Sequence, residues 1–248
     1  MKEIIAEIQV IASEKIKGER RSYINRIFPT INVGNFNPFL SIEEYFIEPP
    51  MEFVSKENKH VEVINYLFDG GIDHKNQIEN KYTTILEGEL LRLTTGKGFI
   101  HAERPVNRGS NHGIKIEFSL PSELYETEPS FQICHEKDFH REENKSRFIR
   151  TLAGKKSPLK LNVNAQIQDV LLYGNSEMEF EIPETYNGLI YVISGLNGDL
   201  FTANSKVRPS QSLFFKNLDK IKVESRGIAT RFLFICAKPQ IGYPHESF

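Results

Sequence analysis

His101 and Glu103 stand two residues apart, just past a turn signal, in the stretch Thr94-Thr95-Gly96-Lys97-Gly98-Phe99-Ile100-His101-Ala102-Glu103. Glycines at i and i+2 mark a tight turn, because Gly reaches positive φ without steric cost. A short extended run follows. In a strand, residues two apart point to the same face. His101 and Glu103 therefore project together, with Ala102 opposite. A neutral imidazole and a carboxylate on one face form half of a mixed nitrogen/oxygen metal site. The same pattern also fits a surface His and Glu on an edge strand, so the rest of the chain must supply the other half.

Further donors lie upstream. The run His60-Val61-Glu62-Val63-Ile64-Asn65-Tyr66-Leu67-Phe68 is rich in β-branched and aromatic residues, and Asp69-Gly70-Gly71 closes it as a turn. If that strand begins early, its parity puts Lys56, Asn58, His60 and Glu62 on one face. Asp73-His74 falls in the connection to the next strand, where the imidazole is expected in solvent. His112 begins an alternating strand and suits packing or hydrogen bonding. His135, His140 and His245 sit in polar segments and carry no pattern. There is no G-x-S-x-G, P-loop or dinucleotide fingerprint. Gly96-Lys97-Gly98 is too short to cradle a phosphate and belongs to turn geometry.

The elements that must position these residues read as strands. The chain has 248 residues, 39% hydrophobic and 26% charged, with a net charge of −2. That length suits one large or two ordinary domains, and the charge balance gives no reason to expect direct nucleic-acid binding. Trp is absent, but 18 Phe and 9 Tyr can fill cores and support strands. Cys134 and Cys236 have no metal-type spacing. The N-terminus lacks the apolar core of a signal peptide, and no apolar run approaches membrane-spanning length. The expectation is a cytoplasmic protein with reduced thiols and no membrane association.

Short strands are expected at Phe39 to Phe46, His60 to Phe68, Tyr82 to Leu86, Leu90 to Thr94, after Gly98, and at His112 to Leu120. Residues 4–10 fit helix or strand, and Lys15, Lys17, Arg20 and Arg21 suit a solvated loop. The polar segment 121–150 reads as a connection with one strand at Phe131 to Cys134. The second half repeats this style, with strands at Leu159–Val163, Val170–Tyr173, Glu177–Ile182, Gly188–Ser194, Gly198–Thr202, Gln211–Phe215, Ile221–Ser225 and Thr230–Ala237. Many short, evenly spaced strands argue an all-β fold, and two such sets argue two β-domains. The second set has no histidine between His140 and His245, so no histidine metal site is expected there.

The order of these features resembles the pirin family, a branch of the cupin superfamily. Asn35-Phe36-Asn37-Pro38-Phe39-Leu40 with Glu43-Glu44-Tyr45 is similar to the family's LDPFLLFDEF stretch. Glu62 with Tyr66-Leu67-Phe68-Asp69-Gly70 is similar to ETVTYLLEG. The opening stretch is similar to MTAGRGIIHSE, and His112-Gly113 with the strand to Leu120-Pro121 is similar to HGLQLWVNLP. These cover roughly residues 30 to 125, while Tyr191 to Gly195 and Ala237-Lys238-Pro239 carry a weaker likeness.

The resemblance implies two tandem cupin (jelly-roll-like) β-barrels, divided as residues 1–130 and 131–248. It implies a mononuclear metal, usually iron, in the first barrel, held by three histidines and a glutamate. Carried over position by position, His101 and Glu103 match. The family's H-P-H positions fall on Lys56, Glu57 and Asn58, so two imidazoles are missing. An amide oxygen from Asn58 is a weaker ligand, and a protonated Lys56 has no lone pair to give.

Three readings stay open at this point. The site is vestigial, a salt-bridged polar pocket in which a cation replaces the metal. Or it is rebuilt from His60, Glu62, His101 and Glu103 for iron, manganese or zinc. Or it is a weak site of Asn58, His101, Glu103 and waters. The first reading implies a binding or regulatory protein with no metal and a small-molecule or protein partner. The second implies a metal-dependent dioxygenase of the quercetin 2,3-dioxygenase type, with Glu103 as base.

Overall fold

The computed structural model describes residues 8–79, 81–106, 109–194, 198–202 and 205–240, with the backbone alone at 54–56. The described chain is built from strands, with two single-turn 3-10 helices at Ser122–Leu124 and Glu136–Asp138. Among the described residues, no helix is long and apolar enough to cross a membrane.

The chain begins with β1 (Ile8–Ala12), β2 (Glu14–Lys17), β3 (Tyr23–Phe28), β4 (Phe39–Ile47), β5 (Phe53–Asn58) and β6 (Val61–Asp69). It continues with β7 (Gly71–Asn76), β8 (Tyr82–Leu86), β9 (Leu90–Thr94), β10 (Phe99–Pro105), β11 (Asn111–Ser119) and β12 (Ser130–Cys134). The second half gives β13 (His140–Glu143), β14 (Arg147–Ala153), β15 (Ala165–Tyr173), β16 (Glu177–Glu181) and β17 (Asn187–Val192). It ends with β18 (Asp199–Phe201), β19 (Lys206–Val207), β20 (Gln211–Phe215), β21 (Lys220–Arg226) and β22 (Ala229–Ala237).

Most expected strands are present, within a few residues of their expected ends. Three differences matter. Leu159 to Val163 is irregular, because Pro158 removes a ladder donor and Asn162 and Asn164 favour turns. β14, between β13 and β15 in the sheet, is not among the expected strands, because the charges of the supposed connection hide it. Asp73-His74 lies inside β7, and Lys15 and Lys17 lie in β2.

Among the described residues, each unit has a seven-stranded and a four-stranded antiparallel sheet, the jelly-roll layout that the resemblance implies. One unit orders its strands β12-β9-β6-β11-β4-β3-β2 and β5-β10-β7-β8. The other orders them β1-β20-β17-β22-β15-β14-β13 and β16-β21-β18-β19. In the first, Tyr45, Ile47, Val63, Leu67, Leu91 and Leu93 of the large sheet meet Ile72, Ile85 and Phe99 of the small one. In the second, Phe215, Phe232 and Phe234 meet Phe180, Leu200, Ile221 and Val223. These cores are the main stabilising feature, since a buried Phe or Leu contributes about 1.5–3 kcal/mol by leaving water.

The units are not the two contiguous halves expected, 1–130 and 131–248. One gathers 14–29, 39–138 and Gln240; the other gathers 8–13, 30–38 and 139–239. The first described strand thus completes the C-terminal unit, where Ile8 to Ala12 pair with Phe215 to Gln211 of β20. β12 holds the matching edge of the N-terminal unit, with Ser130 to Cys134 along Thr94 to Leu90 of β9. A cut at residue 130 would remove that edge strand from its own sheet.

Candidate functional site

The turn at Gly96 and Gly98 forms as expected. Gly96 has φ +47, and a Cβ there would stand 2.1 Å from the Thr127 carbonyl oxygen. β10 leaves this turn with Phe99, His101 and Glu103 buried and Ile100, Ala102 and Arg104 turned the other way. His101 and Glu103 therefore share the interior face of the small sheet of the N-terminal unit.

Neighbouring strands decide what these side chains meet. β7 runs antiparallel to β10 with His74 opposite Glu103 and Asn76 opposite His101. His74 is fully buried, and its Nδ1 stands 3.7 Å from Glu103 Oε1. Its ring centroid lies 5.5 Å from that of His101. The expectation of a solvent-exposed His74 is thus corrected. Ile72, His74 and Asn76 form the inward row of β7, and Asp73 and Lys75 form the outward row.

Across the unit, the large sheet supplies polar groups to the same carboxylate. Lys115 of β11 donates from Nζ to Glu103 Oε2 at 2.7 Å, with its side chain only 13% exposed. Asn65 of β6 donates from Nδ2 to the same oxygen at 3.2 Å. The Tyr45 hydroxyl donates to Asn65 Oδ1 at 2.7 Å, which fixes the amide's orientation. Lys115 Nζ also lies 4.2 Å from the centre of the Phe53 ring, a cation–π contact. Gly113 makes room for this network, since a Cβ there would stand 2.3 Å from the Tyr45 hydroxyl.

The electrostatics follow from these contacts. Burial alone would raise the Glu103 carboxyl, but the Lys115 ammonium, the His74 ring and the charge at His101 outweigh it and hold it well below its ordinary value. Burial pushes Tyr45 well above its ordinary value, and the Glu103 charge adds to this against the Asn65 hydrogen bond, so the phenol stays a donor.

A carboxyl depressed in the folded chain gives stability that is full above its ordinary value, 4.5, and is lost as the pH falls below it. Glu103→Gln should therefore flatten the acid side of the stability curve. Unfolding midpoints measured from about pH 6 down to about pH 3 should fall less steeply than in the parent chain. Equal slopes would remove Glu103 from the acid response.

The other expected ligands divide. Asn58 pairs with Phe99 across β5 and β10, which puts it on the interior side, and the backbone of Lys56 pairs with that of His101. The Lys56 side chain lies outside the described residues. His60 is not brought to the site. It ends the turn before β6 with φ +59, and its ring stacks on Tyr125 at 3.9 Å. Glu62 is not brought there either. β6 turns Val63, Asn65 and Leu67 inward, so Glu62 points to the opposite face, within 3.1 Å of the Thr94 hydroxyl and 3.6 Å of Arg92. The structure therefore does not bring His60 and Glu62 together with His101 and Glu103.

Sequence reasoning missed His74, Asn65, Tyr45 and Lys115. The inward row of β7 was the available signal for His74.

The remaining described histidines lie away from Glu103. His112 Nε2 lies 2.9 Å from Glu44 Oε1, and its ring stacks on Phe46 at 3.9 Å. His135 and His140 pair with Glu89 and Glu142 at the surface, and His245 lies outside the described residues. Cys134 and Cys236 are free and buried, and burial pushes their thiols up to about 11 and about 12. A cavity of about 550 Å³ lies in the C-terminal unit against β1, β18 and β21. Its charges are already matched, Lys222 to Glu177 and Arg226 to Glu224.

Among the described side chains, the site does not fit a divalent ion. Its carboxylate already accepts from an ammonium and an amide. Among the described residues, no group of three or more His, Cys, Asp and Glu is arranged to hold a metal ion.

The family model described as Pirin matches residues 25–116. Pirin-like protein 2 of Arabidopsis thaliana is 28% identical over 218 residues, covering 84% of this chain and 67% of its own length. Two solved structures share the fold. A quercetin 2,3-dioxygenase from Acinetobacter baumannii superposes with a TM-score of 0.81 at 16% identity, covering 95% of this chain and 89% of its own. The bacterial pirin YhhW from Escherichia coli, solved in complex with nickel(II), gives a TM-score of 0.75 at 16% identity, covering 94% of this chain and 100% of its own.

Proposed function

We propose, from the match of residues 25–116 to the Pirin family model, that the chain is a pirin in which a fixed ion pair has replaced metal chemistry, and that it acts as a binding or regulatory protein. The observation that carries this reading is the 2.7 Å hydrogen bond from Lys115 Nζ to Glu103 Oε2. A metal-dependent oxygenase needs a carboxylate free to ligate or to take a proton, and open positions on the metal. Here one carboxylate oxygen accepts from Lys115 and Asn65. The two positions that the family resemblance assigns to imidazoles hold lysine and asparagine. The partner is then a small molecule or a protein. The net charge of −2 does not favour nucleic acid. Two buried free thiols suit a reducing, cytoplasmic setting.

The competing reading is a metal-dependent dioxygenase, and one observation favours it. His74 and His101 both lie beside Glu103, and neither His74 ring nitrogen has a hydrogen-bond partner among the described residues. Metal content separates the two. Tag-free protein purified without chelator should carry far less than one iron, manganese, zinc or nickel per chain by elemental mass spectrometry, and His101→Ala should match it. Near-stoichiometric metal that disappears in His101→Ala would overturn the proposal and direct attention to oxygen consumption with flavonols.

A further inference from the structure

We infer that Lys115 is the residue that keeps a divalent ion out of the N-terminal barrel, so that its cation site is masked by an ammonium rather than dismantled. This rests on the reading that the barrel works without metal. It goes further by assigning the exclusion to one side chain.

The geometry carries it. Lys115 lies on β11 between β4 and β6, opposite Glu43 on one side and Asn65 on the other. Its partner Glu103 comes from the small sheet, so the pair spans the interior of the unit. The ammonium donates to Glu103 Oε2. The other oxygen, Oε1, faces His74 Nδ1 at 3.7 Å. Neither Oε1 nor the two His74 nitrogens have a hydrogen-bond partner among the described residues. Oxygen and nitrogen donors of the kind that divalent transition ions take are thus still gathered at a buried carboxylate. The positive charge that the carboxylate requires there is supplied by the lysine. A divalent ion entering beside that ammonium would meet a like charge where water does little to screen it. A metal and Lys115 therefore compete for Glu103.

Glutamine is the informative replacement. It stands at this place in the stretch HGLQLWVNLP that β11 resembles, and it removes the charge while keeping a polar tip. Tag-free parent chain and Lys115→Gln would be titrated with nickel(II) sulfate, read by thermal unfolding and by calorimetry. The midpoint of Lys115→Gln should rise by about 5–10 °C at an ion concentration of roughly one hundred times the dissociation constant. The parent chain should not respond. Glu103→Gln or His74→Ala, added to Lys115→Gln, should abolish the rise, which separates this site from adventitious surface histidines.

A folded Lys115→Gln that ignores nickel would overturn the inference and leave the metal-free reading standing. A parent chain that responds as strongly as the variant would overturn both. If Lys115→Gln does not fold alone, it would be purified in nickel. Folded protein with one nickel per chain supports the inference, and failure to fold under both conditions refutes it.

Discussion

Lys115→Met is expected to destabilise the chain by about 3–5 kcal/mol, the usual result of removing one partner from a buried ion pair. The reason lies in what remains. Glu103 is 1% exposed, and without Lys115 the Asn65 amide is its one remaining hydrogen-bond donor among the described residues. A buried carboxylate with one neutral donor must either stay charged at high cost or take up a proton. Adding Glu103→Gln to Lys115→Met removes both charges and should recover most of the loss, since the pair as a whole contributes far less than breaking it costs. Urea unfolding of the two single variants and the double variant gives the coupling directly. If the singles and the double simply add, the ammonium and carboxylate do not act as a pair, and the cation has no part in holding the barrel centre.

The site was half legible in the sequence, and the hidden half has a physical cause. Gly96, Gly98, His101 and Glu103 are local features, because a turn and a strand's parity need only a few residues. Lys115 was hidden by the alternation around it. Ile114, Ile116 and Phe118 form an apolar row that reads as the inner face of a half-buried strand, which leaves Lys115 to water. In the fold that apolar row is indeed buried, but the polar face is covered as well and lines the barrel interior. Alternation shows that the two faces differ; it does not show which one encloses the site. His74 was hidden by Asp69-Gly70-Gly71, which signals a turn and does make one, after which β7 resumes at once. His60 and Glu62 share strand parity with Asn58, yet the positive φ at His60 breaks the strand between β5 and β6. The face is not continuous, and the proposed ligand set dissolves with it.

The division of the chain was the least legible feature, and it gives the second large effect. Phe36→Ala should cost about 3–5 kcal/mol, as for other buried Phe truncations, and the loss should appear in the C-terminal unit. Phe36 is 3% exposed, and its ring meets Phe214 of β20 edge-on at 5.2 Å. Next to it, the Asn37 carbonyl accepts from Asn187 Nδ2 at 2.9 Å, at the start of β17. Residues 30–38 are early in sequence but belong to the sheet set that ends near residue 239. No local pattern announces this, since the partners lie about 150 or more residues away and a contact of that range leaves no period in the sequence. Amide hydrogen exchange is the discriminating measurement. Phe36→Ala should speed exchange in β17, β20 and β22 while β9, β10 and β11 keep their protection. Exchange that rises first in β9 to β11 would assign residues 30–38 to the N-terminal barrel and restore a simple division of the chain into sequential halves.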